Sequence, residues 1–228
     1  MVQKAGPMIV AIDGPAGAGK STVAKNVAAE LGFVYINSGN LYRAITLSVF
    51  QAGIDPKHEA EVSDLADSAD VSVDADGTKI DGRLVDGELR TARVDAAVAP
   101  VSSFPRVRNA VNQLLVSLAR TRDAVVEGRD MGTVVFPDAE VKIYMDASID
   151  SRALRRYKEA GDGRSLEEIR EAIEKRDRID QKKAGAPLRP AEDALYLDTS
   201  RLTIEAVCEK VVQICTHHIQ REIHNKHE

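Results

Sequence analysis

Apolar residues come in short β-prone runs separated by stretches where they recur at every third or fourth position. That alternation predicts a parallel sheet covered by helices on both faces. The runs place core strands at Met8 to Asp13, Phe33 to Asn37, Ala124 to Glu127, Val141 to Asp146 and Ala194 to Leu197. Between them, Ser21 to Leu31 sets Val23, Val27 and Leu31 on one helical face, and Leu41 to Gln51 does the same with Leu41, Ile45 and Val49. Ile204 to His218 carries Ile204, Val207, Cys208, Val211, Ile214 and Cys215 behind Thr203 as an N-cap, the pattern of a packing helix.

Two stretches break the alternation. From about Asp55 to Pro100 the chain turns acidic, and short strand-like pieces at Val71 to Val73 and Thr78 to Ile80 are divided by Asp74-Ala75-Asp76-Gly77 and followed by Asp81-Gly82. Both separators are hairpin signals, so this reads as a small inserted module. In the second stretch, Ser148 can cap a helix bearing Arg152, Arg155 and Arg156, and Ser165 with Glu168 forms a capping box for the next helix. Gly161-Asp162-Gly163 between them is a connection suited to a lid.

With 228 residues, 43% of them hydrophobic, the chain has ample material for one core with one insert. The net charge of −5 argues against a nucleic-acid binder, whose field would be positive. Charge is unevenly spread: Arg152 to Arg189 carries a net +4 and the remainder −9. No apolar run approaches the roughly twenty residues that span a bilayer, and Met1 to Pro7 lacks the apolar stretch of a signal peptide, so a cytoplasmic protein without a membrane partner is expected. Cys208 and Cys215 lie about 10 Å apart by helical rise, too far for a disulfide, and read as small core residues. His217, His218, His224 and His227 crowd the C-terminus, which reads as a frayed solvated tail.

The chemistry begins with Gly14-Pro15-Ala16-Gly17-Ala18-Gly19-Lys20-Ser21, which fits G-x-x-x-x-G-K-[ST] directly after a predicted strand and at the start of a predicted helix. Such a loop turns successive backbone N–H groups onto phosphate oxygens; Lys20 adds charge at the outer phosphates, and the Ser21 hydroxyl can hold Mg²⁺. Thr22 extends the ATP-binding set. Transfer between two nucleotides gathers negative charge, so cations must converge from several elements. Arg43 follows the second strand in Ser38-Gly39-Asn40-Leu41-Tyr42-Arg43, while Arg129 and Asp130 follow the third, at the edge where open parallel sheets bind ligands. Arg152, Arg155 and Arg156 share one helical face, and Arg176, Asp180 and Lys183 share another. The latter face fits a surface ion-pair ladder as well as a ligand site.

The DGPAGAGKS loop, the SG-x-x-YR segment, the EGRDMGTVVFPDA run from Glu127 to Ala139 and the APLRPAEDA stretch from Ala186 to Ala194 together closely resemble bacterial cytidylate kinases, from about Ile9 to Val212. The resemblance implies an α/β P-loop NTPase fold of three layers with a five-stranded parallel sheet, an NMP-binding insert and a helical lid. On that pattern the chain is one kinase domain with its core at about 8–54, 101–150 and 191–218, the insert at about 55–100 and the lid at about 151–190. It further implies transfer of the ATP γ-phosphate to CMP or dCMP with Mg²⁺. Separately from the resemblance, a monomer is expected. Ser38, Arg108 and Asp130 would contact cytosine, Arg43 and Arg129 the CMP phosphate, and Arg176 with Asp180 the sugar; Lys183 belongs to the same substrate set, and Arg155 and Arg156 to the lid. Two positions depart from the family pattern. Ala99 stands where a sugar-contacting Ser is usual, and Lys183 where Arg is usual, which removes a planar fork.

A CMP phosphate is already anionic at neutral pH, so no protein general base is required. Asp130 is then a recognition residue that accepts from the cytosine 4-amino group while Arg108 donates to O2 or N3. Uridylate, thymidylate and small-metabolite kinases share this architecture. A GTPase-like switch fits less well, since the chain carries no N-K-x-D tetrad.

Overall fold

The computed structural model describes residues 6–74, 76–160, 163–182 and 186–225. Lys183, Gly161, Asp162, Ala75 and His227, which figure in the sequence reading, lie outside them. In chain order the elements are β1 (Ile9–Asp13), α1 (Lys20–Leu31), β2 (Val34–Asn37), α2 (Ser38–Gln51), α3 (Glu59–Ser68), β3 (Val71–Asp74), β4 (Gly77–Ile80), β5 (Arg83–Leu84), α4 (Ala92–Val101) and α5 (Pro105–Ala119). Then follow β6 (Ala124–Glu127), a π-helical turn (Met131–Val135), β7 (Val141–Asp146), α6 (Ile149–Ala160), α7 (Leu166–Gln181), β8 (Leu195–Asp198) and α8 (Ile204–Asn225). The chain divides into two compact units, one of residues up to Tyr35 and from Ala119 onward, the other Ile36–Leu118.

The five predicted strands form one sheet in the order β2-β6-β1-β7-β8. β1 runs parallel to β6 and to β7, with Ile12 opposite both Glu127 and Ile143, and β7 runs parallel to β8. All five residues of β1 are buried, as expected of a central strand covered on both faces. Val23, Val27, Val207, Val211, Cys208 and Cys215 pack over one face of this sheet with Val10, Ile12 and Ile143. Both cysteines are free thiols in that core, and burial pushes the Cys215 thiol up to about 12. Ala153, Ile169 and Ile173 make a smaller cluster between α6 and α7, against Ala16 and Ile149. The capping box at Ser165 and Glu168 forms, and Ser148 accepts the Ser151 N–H at 3.2 Å. The C-terminal helix runs seven residues beyond the predicted His218, because the 219–225 stretch holds neither Gly nor Pro to stop it.

In the second unit β3, β4 and β5 form an antiparallel sheet, with α2 packed on α4 and on β4. Leu41, Ile45, Val49, Val94, Val98 and Val101 are fully or nearly fully buried there. Two helices, α3 and α4, occupy a stretch whose sequence showed strand-like pieces. Both are only ten residues long; Glu59 and Glu61 in the first turn of α3 suit the helix dipole, and the Thr91 side chain caps α4.

Among the described residues, no helix is long and apolar enough to cross a membrane.

Candidate active site

The 14–21 loop leaves β1 through glycines that the backbone demands. Gly14, Gly17 and Gly19 have φ of +147°, +77° and +91°, and a Cβ on Gly14 would collide with the Met145 carbonyl. Gly19 caps α1 with no side-chain bond, which leaves the helix N-terminus open to an anion. Lys20 is buried, and its ammonium donates to the Pro15 carbonyl at 2.8 Å. Burial, reinforced by the nearby Arg129 cation, lowers its pKa to about 7. A phosphate arriving at the loop would meet a lysine whose charge is held down by desolvation, and would restore it.

Ser21 donates through its hydroxyl to Glu127 Oε1 at 2.5 Å, and Tyr35 donates to the same oxygen at 3.1 Å. Glu127 closes β6 and is buried. No motif in the sequence assigns Glu127 a role. The signal for it is an acidic residue at the carboxyl end of an apolar run, here a strand buried along its whole length. The Ser21 hydroxyl and the Glu127 carboxylate are hard oxygen donors of the kind Mg²⁺ prefers, so this pair fits the ion.

Arg129 and Asp130 follow Glu127 directly. Asp130 is buried at the head of the π-helical turn. Arg129 donates from Nε to Asp180 Oδ2 at 2.9 Å, and Arg176 donates from Nε to Asp180 Oδ1 at 3.2 Å, so one buried carboxylate on α7 orients two guanidinium groups. Burial works against the Arg129 cation, but the Asp180 and Glu127 carboxylates outweigh it and hold its pKa above the ordinary arginine value.

The α6 arginines divide. Arg152 is buried and donates to Ala147 O at 2.9 Å, Ala16 O at 3.0 Å and Asp177 Oδ2 at 2.6 Å. Arg155 donates to Thr199 O at 2.5 Å and to Ala18 O at 3.3 Å. Both therefore hold the phosphate loop by its carbonyl oxygens. Arg156 is partly exposed, 3.6 Å from Glu159.

In the unit 36–118, Ser38 is buried at the start of α2, behind Asn37, whose side chain accepts the Asn40 N–H at 3.0 Å. Arg43 donates to Asp95 Oδ1 from Nε and Nη2 at 3.2 and 3.1 Å, and to the Gly39 carbonyl at 3.1 Å. Arg108 is buried on α5. Ala99 lies on α4; the Ser102 and Ser103 hydroxyls donate to the Ala99 and Pro100 carbonyls at 3.0 and 2.6 Å, so they serve the end of that helix.

A phosphate cradle hung on the central strand of a parallel sheet, with a lysine at the first helical residue, defines the P-loop nucleotide-binding proteins as a class. Within that class the chain belongs to the cytidylate kinase family, whose model matches residues 10–217. It is 42% identical over 217 residues to the cytidylate kinase of Caldanaerobacter subterraneus subsp. tengcongensis, covering 94% of this chain and 97% of that one. It is 44% identical over 209 residues to the cytidylate kinase of Limosilactobacillus fermentum, covering 89% and 92%, and 40% identical over 210 residues to that of Clostridioides difficile, covering 91% and 97%. Among solved structures, an uncharacterized protein from Eubacterium ventriosum shares the fold at a TM-score of 0.50 and 11% identity, covering 91% of this chain and 97% of that one.

Proposed function

We propose that the protein transfers the γ-phosphate of ATP to CMP or dCMP, giving CDP or dCDP for pyrimidine nucleotide metabolism. The observation that carries this reading is the side-by-side placement of β1 and β6, which sets the phosphate loop beside the Arg129–Asp130 pair. The 14–22 backbone and Lys20 bind the ATP phosphates. Ser21 and Glu127 would hold Mg²⁺, which when bound neutralises charge on the donor phosphates. Arg43 and Arg129 take the CMP phosphate, and Ser38, Arg108 and Asp130 read cytosine. Arg176, Asp180 and Lys183 complete the substrate set. Asp180 does so in part by fixing Arg129 and Arg176, the two cations it already orients.

Rate comes from alignment and from cations placed where charge develops, with the CMP phosphate oxygen as nucleophile. Arg155 and Arg156 are carried by α6, in the region of about 151–190 that acts as lid; Arg155 holds the Ala18 carbonyl of the phosphate loop, and Arg156, partly exposed, is the one to reach a transferring phosphate. Uridine presents O4 and N3–H where cytosine presents an amino group and N3, and mismatching a buried Asp130 and Arg108 costs about 1–3 kcal/mol per group. The enzyme acts as a cytoplasmic monomer. Steady-state ADP release with CMP, dCMP, UMP, dTMP and AMP tests the assignment: CMP or dCMP should show the highest kcat/KM, and no turnover of either would refute it.

A further inference from the structure

Asp13 is the last residue of β1, one position before the phosphate loop. Its carboxylate is buried and accepts two backbone N–H groups, Met131 N–H on Oδ1 at 2.8 Å and Gly132 N–H on Oδ2 at 2.7 Å. Those amides open the π-helical turn, immediately after Arg129 and Asp130. The first N–H groups of a helical turn find no partner inside it. Asp13 therefore caps the turn from a neighbouring strand, across 118 residues of sequence.

The cap is an expensive one. Burial raises the Asp13 pKa to about 6, and the Asp130 carboxylate pushes the same way, while the two amides and Lys20 act in the opposite sense. Little room is left around Gly132. A Cβ on Gly132 would stand 3.3 Å from Lys142 Cγ and Cδ and 3.5 Å from Asp13 Oδ2. The Lys142 ammonium is itself tied to the Pro137 carbonyl and, at 2.7 Å, to Asp193 Oδ2, so its stem has little room to yield.

We infer that Asp13 is a positioning residue for the acceptor nucleotide: by gripping the Met131 and Gly132 amides it sets Arg129 and Asp130 in register with the phosphate loop. The inference rests on the reading that Asp130 and Arg129 receive the acceptor. Nothing in it requires Asp13 to touch substrate.

Asp13→Asn keeps the shape but offers one acceptor oxygen and turns an NH₂ toward the other amide. The expected result is a fall of about tenfold in kcat/KM for CMP, carried mainly by KM for CMP, with KM for ATP within about twofold of wild type. The ratio of kcat/KM for CMP to that for UMP should narrow by about fivefold or more. Gly132→Ala crowds the Lys142 stem and the Asp13 carboxylate beside the same amide without changing charge, and should give the same pattern at about threefold. If either folded variant loses activity equally toward CMP and UMP, or raises KM for ATP as much as KM for CMP, Asp13 is a structural cap and the inference is wrong. Should Asp13→Asn not fold, Gly132→Ala decides alone. A wild-type enzyme that turns over some other monophosphate would overturn the acceptor assignment instead, and the same KM split would then be read with that acceptor.

Discussion

Lys20 sits in the phosphate loop with a pKa lowered to about 7, by burial first and by Arg129 second. At pH 8 a group with that pKa is about nine-tenths neutral. ATP places several negative charges against it, and an anion within about 4 Å stabilises the ammonium by enough to return its pKa to the ordinary lysine range of about 10. Binding of MgATP at pH 8 should therefore take up about 0.9 proton per site, falling to about 0.5 at pH 7. Titration calorimetry in buffers of different ionisation enthalpy reads this number directly as the slope of apparent enthalpy against buffer enthalpy. The ATP phosphates are fully ionised at pH 8, so they contribute little to the slope. Lys20→Met removes the titrating group and should abolish the uptake while cutting turnover by at least about 10²-fold. A slope near zero for wild type at pH 8, or the same slope in Lys20→Met, would refute the reasoning. The same shift has a stability consequence of definite sign. A lysine whose folded pKa lies below its unfolded value binds its proton less well when folded, so the ligand-free protein gains stability as pH rises from about 7 toward 10.5, and Lys20→Met should flatten that rise in a denaturant series.

Glu127→Ala leaves Ser21 and Tyr35 without their shared acceptor and removes one proposed oxygen donor to Mg²⁺; kcat should fall by about 10²-fold or more, and the Mg²⁺ concentration for half-maximal rate should rise, as read in a metal titration of the coupled assay. Arg152→Ala strands the Asp177 carboxylate, whose Oδ1 already has no hydrogen-bond partner among the described residues, and frees the Ala16 carbonyl. Urea unfolding should show a loss of about 3 kcal/mol, and Arg152→Met with Asp177→Asn should recover most of it, because the uncompensated buried charge is then gone. A double variant no more stable than Arg152→Ala would place the cost in lost packing instead.

What the sequence determined by itself is whatever depends on neighbours along the chain. The five core strands stand within one or two residues of their predicted limits, because an apolar run bounded by turn residues needs no distant partner to be recognised. The glycines of the phosphate loop, the Ser165 and Glu168 capping box, and Cys208 and Cys215 on the buried face of α8 are local in the same sense. α3 and α4 were less legible, since ten residues carry few helical periods.

Tertiary structure decided what depends on which elements become neighbours. The order β2-β6-β1-β7-β8 is not written in any strand, yet it brings Glu127 to Ser21 and the Met131 and Gly132 amides to Asp13. The i, i+4 spacing of Arg176 and Asp180 announced a pair, but only folding added Arg129 to the same carboxylate. Arg152 and Arg155 looked alike on one helical face. Contact with Ala16 and Ala18, each more than a hundred positions away, made them supports of the loop, because a hydrogen bond over that distance in sequence has no signature in the residues on either side of it.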